Sequence, residues 1–228
     1  ALELKSGGYI FEEFKKFLIK NNVINENWNG LNLLMQNAST VGLLDLKILQ
    51  DKEKSSSFFD DLKDKKFKLL YLLGSDNLEF QKNNEFIVYQ GSHGDRGAEI
   101  ADLILPSATY TEQNGLYENL EGRIQECKKA SYPIGEALED WKIFNQIIKK
   151  LGFKDKTSKF DELRKEVLET IPNFSEINEL PKKSEIKTNN IQTDFFSEKI
   201  FIRELDYYFT NSISRSSKTM SECRQIRQ

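Results

Sequence analysis

The sequence has little cysteine, histidine and proline, and these absences limit the chemistry that the chain can carry. It holds two cysteines, one histidine and four prolines in 228 residues. An iron–sulfur cluster takes about four cysteine thiolates, and a structural zinc site takes about four Cys or His ligands. This chain alone therefore cannot complete either site, and we expect Cys127 and Cys223 to be reduced thiols.

Strong net charge and long apolar runs are also missing. Lys and Arg number 33 against 36 Asp and Glu, a net charge of −3, so no strong field favours nucleic acid or anionic lipid. No apolar run reaches the roughly 20 residues that cross a bilayer. A peripheral position on a membrane complex is compatible with this sequence. The chain starts at Ala1 without Met or a leader, and we expect it to be processed, trimmed or a fragment.

Apolar residues at three-and-four spacing are typical of amphipathic helices. This spacing predicts helices at 9–20, 28–46 and 136–151, and a further helix at 160–170. The tail, 207–228, has the pattern of a capped terminal helix.

The sequence has three short apolar runs, at 67–73, 86–89 and 103–105. The first ends just before Gly74, the second is followed by Gln90 and Gly91, and the third ends just before Pro106. Such runs are typical of parallel strands buried on both faces. Residues 116–128 predict a two-stranded hairpin that turns near Gly122. The fold class that follows is α/β, with a Rossmann-like, mostly parallel sheet flanked by helices.

The third run is expected to be a central buried strand bracketed by Asp102 and Pro106. Replacing Leu103 or Ile104 by Ala should then destabilise the fold by about 2–5 kcal/mol.

The character of the sequence changes past Gly152, which divides the chain into an α/β domain at 1–153 and an irregular or helical arm at 154–228. The arm is polar until an aromatic cluster between Phe195 and Phe209. Because the polar stretch cannot bury itself, we expect the arm to wrap over a surface and anchor through its aromatic side chains.

The Gly-rich loop 91–97 follows a predicted strand but matches neither the dinucleotide fingerprint nor the P-loop. Its glycines could present backbone N–H groups to an anion, but a tight turn that needs positive φ is favoured. Ser92, His93 and Asp95 are adjacent in sequence, and a triad is a spatial arrangement. We expect His93 either to face solvent or to brace the loop.

Four glutamates lie in and around the predicted hairpin, and nothing in their spacing separates acid–base pairs from ordinary salt bridges. They are Glu112, Glu118, Glu121 and Glu126. Arg123 is expected to form a structural ion pair with Glu121 or Glu112. The residues alone thus predict an α/β domain with no catalytic set.

Residues 101–125 resemble a characteristic stretch of the molybdopterin-oxidoreductase superfamily. In that pattern an Ala-Asp pair opens a strand that ends at Pro, and Glu, a small residue, Asn and Glu-Gly-Arg follow. The matching residues are Ala101, Asp102, Pro106, Glu112, Gly115, Asn119, Glu121, Gly122 and Arg123.

Further stretches resemble one branch of that superfamily, the largest iron–sulfur subunit of respiratory complex I (the G subunit of NADH-quinone oxidoreductase), in its mitochondrial form. These are 69–77, 86–106, 139–147 and 209–223. The matching residues within them include Gly91, His93, Gly94, Gly97 and Trp141.

The resemblance implies a molybdopterin-enzyme-like domain that no longer carries the cofactor. It implies a non-catalytic structural module in the peripheral arm of the proton-translocating NADH:ubiquinone oxidoreductase, on the matrix side of the mitochondrial inner membrane. No catalytic, cofactor-binding or metal-binding residue is then expected in this chain. The iron–sulfur clusters are expected in an N-terminal part or a partner chain, and the partners are other peripheral-arm subunits.

Either the subunit is split into two chains, or this chain is the end of a longer one. The frequent Lys, Asn, Ile and Phe are typical of AT-rich organelle genes, and we expect a split, organelle-encoded subunit. One alternative is the cofactor-binding end of an active molybdopterin oxidoreductase such as a formate dehydrogenase. Another, a free-standing dinucleotide-binding module, is weakened by the missing fingerprint.

Overall fold

The chain is described by a computed structural model at 5–35, 37–48, 60–76, 81–154, 157, 159–171, 177–180, 194–197, 199 and 206–227. Its centre is a three-stranded parallel sheet in the order β1-β2-β3. The strands are β1 (Leu69–Leu73), β2 (Phe86–Gly91) and β3 (Leu103–Pro106). The predicted α/β class is confirmed, since helices flank this parallel sheet.

Helices and a hairpin surround the sheet. The helices are α1 (Gly7–Lys20), α2 (Thr40–Asp45), α3 (Arg96–Ile100), α4 (Asp140–Lys150), α5 (Phe160–Thr170), α6 (Ser212–Arg215) and α7 (Lys218–Arg227). The antiparallel hairpin consists of β4 (Gly115–Glu118) and β5 (Ile124–Cys127). It turns at Gly122, whose φ of 81° is left-handed, as the sequence predicted.

The main core lies on one face of the sheet. Leu70 and Leu72 of β1 pack with Ile87 and Tyr89 of β2 and with Leu62. Partly buried side chains of the β2–β3 crossover and of the approach to β1 complete this cluster; they are Phe67, Ala98, Ile100 and Ala101. Each fully buried aliphatic side chain contributes about 1.5–3 kcal/mol, so this face is the main apolar contribution to the sheet's stability.

The prediction that β3 is a central buried strand is wrong. The strand exists and is bracketed as expected, but Leu103 and Ile104 are 44% and 51% exposed. The central strand is β2, where Ile87 is fully buried. An apolar run shows that a segment is a strand, but it does not give the position of that strand in the sheet.

The helix predicted at 28–46 is present only as α2, from Thr40 to Asp45. The described residues before it, 28–35 and 37–39, are not helical, and near 25–31 Asn side chains take backbone N–H groups that a helix would use. Asn25 Oδ1 accepts from the N–H groups of Asn27 and Trp28, each at 2.9 Å. Asn29 Oδ1 accepts from the N–H of Leu31 at 3.1 Å. Apolar periodicity alone did not reveal this competition.

Helix α2 packs on the hairpin through a buried carboxyl group. Glu118 is buried, and its Oε2 has no hydrogen-bond partner in the described part of the chain. Burial raises the pKa of Glu118 to about 7, and the charge and hydrogen bond of Asp45 on α2 add to this effect. The Glu118 carboxyl group is therefore about half protonated at neutral pH.

Replacing Ile87 by Ala should lower the free energy of unfolding by about 3 kcal/mol, because a cavity forms beside Leu70 and Tyr89. The change Leu103→Ala removes a half-exposed side chain and should cost less than about 1.5 kcal/mol. Urea unfolding followed by circular dichroism measures both. Equal losses would contradict the assignment of β2 as the central strand.

The Glu118 carboxyl group should make stability depend on pH. Its pKa is raised from 4.5 to about 7 in the folded chain, so the folded state binds the proton more tightly and stability falls as pH rises through this window. The loss should be on the order of 2 kcal/mol. In Glu118→Gln this slope should disappear, whereas the exposed control Glu121→Gln should keep it. Urea unfolding at pH 5, near the lower end of the window, and at pH 8, about one pH unit above its upper end, tests this.

Candidate functional site

The carboxyl ends of the three parallel strands form the edge at which open α/β sheets bind ligands. A cavity of about 720 Å³ opens there, between the strand ends, the start of α4 and the C-terminal segment around α6. Its lining is Leu73, Gly74, Gln90, Gly91, Ser92, Ser107, Ala108, Thr109, Tyr110, Gln113, Asp140, Asn211, Ser212, Ile213, Ser214, Ser217 and Met220.

A buried amide, Gln90, forms the floor of this cavity. The Tyr71 hydroxyl donates to Gln90 Oε1, and Gln90 Nε2 donates to Asp140 Oδ1 at 2.6 Å. Asp140 Oδ2 accepts from Gln113 Nε2 at 3.0 Å, and Gln113 Oε1 accepts from the Asp140 N–H at 3.2 Å. Both Asp140 oxygens are thus hydrogen-bonded, so this carboxylate braces the floor of the cavity.

Two glycines of the Gly-rich loop, Gly91 and Gly97, are needed for space and not for left-handed backbone. Positive φ is found at four other glycines, so that part of the prediction is wrong for Gly91, Gly94 and Gly97. A Cβ on Gly91 would overlap the Tyr89 hydroxyl, and one on Gly97 would lie 2.7 Å from the Ser75 carbonyl oxygen. A Cβ on Gly94 would lie 4.0 Å from the Ala98 Cβ, which is an ordinary contact.

The side chains of Ser92, His93 and Asp95 do not form a triad. Ser92 Oγ lies 2.9 Å from His93 Nδ1, but Asp95 caps α3 by accepting from the Arg96 N–H at 2.8 Å. The His93 carbonyl accepts from the Tyr89 hydroxyl at 2.8 Å. The loop is therefore braced at His93, through its backbone and not its ring.

Arg215, at the end of α6, connects the C-terminal segment to the sheet edge. Its guanidinium bonds Asp76 beyond β1 at 2.8 Å and also bonds Asp95. The Arg215 hydrogen bond holds the pKa of Asp95 below its usual value. Burial would lower the pKa of Arg215, but the two carboxylates outweigh it and raise that pKa. The charges of Arg215, Asp76 and Asp95 are thus paired with one another.

The segment that carries Arg215 has its own local stabilisation. Asn211 Oδ1 accepts from the Ser214 N–H at 2.9 Å, and Ser214 Oγ accepts from the Asn211 N–H at 3.1 Å. This reciprocal capping box fixes the start of α6. The predicted capped tail is confirmed, as two short helices, and it lies over the sheet edge as part of the cavity wall.

The Ala101-Asp102 pair and Pro106 hold the two ends of β3. Asp102 Oδ2 accepts from the Ile87 N–H at 2.8 Å, and its other oxygen pairs with Lys82. The Lys82 hydrogen bond and then the Ile87 N–H lower the pKa of Asp102. Ala101 packs against the core as the cap of α3, and Pro106 ends β3 beside Gly91.

The Asn-x-Glu-Gly-Arg part of the motif builds the hairpin turn. Asn119 Oδ1 accepts from the N–H groups of Glu121 and Arg123, each at 2.9 Å, and Gly122 supplies the left-handed residue. Arg123 forms no ion pair with Glu121 or Glu112, so that prediction is wrong. Its Nε is buried without a hydrogen-bond partner among the described residues.

Trp141, in the first turn of α4, and Glu112, in the turn after β3, both make local hydrogen bonds. Trp141 Nε1 donates to Glu139 Oε2 at 2.9 Å, and Lys142 and Lys129 bind the other oxygen of Glu139 at 3.1 and 3.3 Å. Burial alone would raise the pKa of Glu139, but these donors outweigh it and lower that pKa. Glu112 Oε2 accepts a hydrogen bond from the Thr109 N–H at 3.1 Å.

Sequence reasoning missed Gln90, Gln113, Asp140 and Arg215 as members of one site. The signal for Gln90 was a polar residue inside an apolar run, which in a buried strand requires partners. No local signal could have joined Arg215 to carboxylates that lie more than a hundred residues earlier in the chain.

The donor set at this edge does not fit a phosphate-bearing metal cofactor. Among the described lining residues there is no Lys, Arg, His or Cys, whereas phosphate groups are held by cations or by free helix N-termini. The N-terminus of α3 is already capped by Asp95. The described residues also contain no group of three or more His, Cys, Asp or Glu that could hold a metal ion.

The structure thus defines an open α/β domain. Its C-terminal segment lines the sheet edge at which this class of fold binds ligands. Comparison of the sequence with protein families agrees. The molybdopterin oxidoreductase model matches residues 1–150, and the chain belongs to this family. A second model, described as the C-terminal part of the G subunit of NADH-ubiquinone oxidoreductase, matches residues 176–223.

The chain is similar over almost its whole length to subunits of one respiratory enzyme. It is 37% identical to the NADH-ubiquinone oxidoreductase 75 kDa subunit of Reclinomonas americana, over 99% of this chain and 33% of the relative. It is 37% identical to the NADH-quinone oxidoreductase G subunit of Rickettsia bellii, over 97% of this chain and 31% of the relative.

A mitochondrial relative extends this pattern. The chain is 36% identical to the mitochondrial NADH-ubiquinone oxidoreductase 78 kDa subunit of Candida albicans, over 97% of its own length and 31% of the relative. It therefore spans about a third of the length of the curated relatives it matches. No helix in the described part is both long and apolar enough to span a membrane.

Arg215→Met should lower the free energy of unfolding by about 3 kcal/mol, because it leaves the nearly buried Asp76 without a counter-ion. The control Lys218→Met removes an exposed cation three residues later, whose ion pair with Glu222 is long at 3.8 Å, and should cost less than about 0.5 kcal/mol. Urea unfolding at pH 7 measures both. Similar values for the two variants would contradict the role of Arg215.

Proposed function

We propose that the chain is a non-catalytic structural module in the peripheral arm of NADH:ubiquinone oxidoreductase. It would support electron transfer from NADH to quinone by holding the cluster-bearing part of the subunit in place. The observation that carries the proposal is the similarity, over almost the full chain, to the 75 kDa and G subunits of that enzyme. The matrix side of the mitochondrial inner membrane is the location that follows.

The state of the sheet edge supports a structural role over a catalytic one. A catalytic acid or base has to be free to exchange a proton with a substrate. Here Asp140 is engaged by two amides, and Asp95 is engaged by Arg215 and a helix N-terminus. The chain's own C-terminal segment supplies part of the wall where a substrate would enter.

Electron carriers are then expected outside this chain. We propose that the iron–sulfur clusters lie in the other two thirds of the subunit, whether that part is a separate chain or continuous with this one. Cys127 and Cys223 are free thiols, and neither belongs to a group of three or more possible metal ligands in the described residues. The domain would contribute contacts and shape, with other peripheral-arm subunits as its partners.

The competing function is the cofactor-binding part of an active molybdopterin oxidoreductase such as a formate dehydrogenase. Membership of the family favours it, but the cavity lining offers no cation for an anionic cofactor. The two functions differ in metal content. Elemental analysis of the assembly that contains this chain should find iron and less than one equivalent of molybdenum.

The direct experiment is to tag the full chain in its native mitochondria and separate membrane complexes on a native gel. The tag should migrate with the band that reduces a tetrazolium dye with NADH. The iron–sulfur subunit should be recovered with it. A tag found only in a band without NADH dehydrogenase activity, or a stoichiometric molybdenum content, would overturn the proposal.

The arm should be needed for assembly. Its contacts with the rest of the chain include Phe195 packed edge-on against Tyr9 at 5.6 Å, and Ser6 bonded to both backbone groups of Phe196. A chain that ends at Phe153 should fold but lose much of its incorporation into the peripheral arm. Native gels and circular dichroism of the purified variant measure the two effects. Undiminished incorporation would show that the arm is dispensable.

A further inference from the structure

Strand β1 has the sequence of an interior strand but lies at an edge of the sheet. Its five residues, Leu69–Leu73, read LLYLL and include no charged residue and no proline. Edge strands of soluble proteins usually carry Lys, Pro or a bulge, which prevent pairing with another chain. Leu69 and Leu73 are instead 56% and 52% exposed. A continuous apolar run of this kind is typical of a parallel strand whose two faces are both covered.

The outer backbone groups of β1 can be identified from its pairing with β2. The Gly74 N–H donates to the Gln90 carbonyl at 2.8 Å, and in a parallel ladder alternate residues point to the same neighbour. Leu70 and Leu72 therefore point to β2, while Leu69, Tyr71 and Leu73 point outward. None of these three outward residues has a backbone partner within the described ranges.

The opposite edge of the sheet has a neighbouring segment at its carboxyl end. The Leu138 N–H donates to the Pro106 carbonyl at 3.2 Å, and the Leu138 carbonyl accepts from the Ala108 N–H at 2.8 Å. This bridge places the chain before α4 alongside the end of β3. In the part of the chain that the structure describes, no segment pairs with β1 anywhere along its outer side.

An apolar row lies beside the open edge, on the face opposite the main core. The register pairs Leu69 with Phe86 and Val88 with Leu103, so Leu69, Phe86 and Leu103 share that face and the amino half of the sheet. All three are exposed by 44–56%. Helix α4 reaches this face further along, where Phe144 stacks on Tyr71 at 5.7 Å.

The length of the relatives indicates what covers this surface. They are about three times as long as the matched region, because this chain spans 31–33% of them, so the same subunit contains a large remainder. The β1 edge has no charge to match, and its occupant must therefore be an extended apolar segment that supplies backbone donors and acceptors.

We propose that the outer edge of β1 accepts a strand from the cluster-bearing remainder of the subunit. That strand would pair with Leu69, Tyr71 and Leu73, and its flanking side chains would cover Leu69, Phe86 and Leu103. The pairing makes one sheet from two parts of the subunit. This inference rests on the proposed function, and it adds the surface through which the scaffold acts.

The first test places a photo-reactive benzoylphenylalanine at Leu69 in the tagged full chain within its mitochondria. Irradiation should give a cross-linked peptide from the cysteine-cluster region of the subunit. A mass shift on a denaturing gel would identify a separate chain, and an internal cross-link would identify a continuous one. The same probe at Ile134, 82% exposed in a loop, is the control. Cross-links to a second copy, to another subunit or to nothing would overturn the proposal.

The second test separates the backbone pairing from the apolar contact. Leu73→Pro removes an outward N–H and leaves the β1–β2 bonds intact, since proline is tolerated at an edge, and Leu73→Val keeps the N–H. The proline variant should lower the amount of chain in the NADH-active band about tenfold, and the valine variant should not. Leu69→Lys should act like the proline variant, with Ile134→Lys as its control.

The outcomes distinguish the inference from the proposed function. If the unaltered chain is absent from the NADH-active band, the proposed function fails. If the unaltered chain is present and the proline and Leu69→Lys variants enter the band at the same level, the β1 edge is not the interface. Circular dichroism reports whether each variant folds, and if Leu73→Pro does not, Leu69→Lys decides.

Discussion

The buried Gln90 side chain is the constraint on which this domain depends most. It is fully buried in the central strand, so both its carbonyl and its amide require partners. Tyr71 and Asp140 supply them, which ties the edge strand, the central strand and the start of α4 to one point. At the floor of the cavity these polar groups are thus hydrogen-bonded to one another.

Arg215 has the complementary effect from the outside. A guanidinium between Asp76 and Asp95 neutralises carboxylates that lie beyond two neighbouring strands, at the edge where this class of fold normally meets its ligand. The same contacts that stabilise the C-terminal segment therefore occupy the edge. One interaction therefore stabilises the C-terminal segment and pairs the charged side chains at this edge.

The sequence predicted the features that depend on local pattern. The parallel strands, the hairpin turn at Gly122 and the capped tail all follow from short-range periodicity, glycine and capping residues. The features it did not predict depend on distance. Exposure of Leu103, the role of Arg215 and the lost helix before α2 are set by which segments meet, or by side chains that compete for backbone groups.

The unsatisfied groups of the chain lie where additional contacts would be useful. The β1 edge leaves outward backbone groups without described partners, and the hairpin buries Arg123 Nε without one. A buried group such as Arg123 Nε is costly, because it has given up water without a replacement hydrogen bond. The exposed β1 edge can bond water, and a pairing strand would replace those bonds with backbone hydrogen bonds. The pattern of unmet bonds therefore favours a part that is stabilised by its assembly.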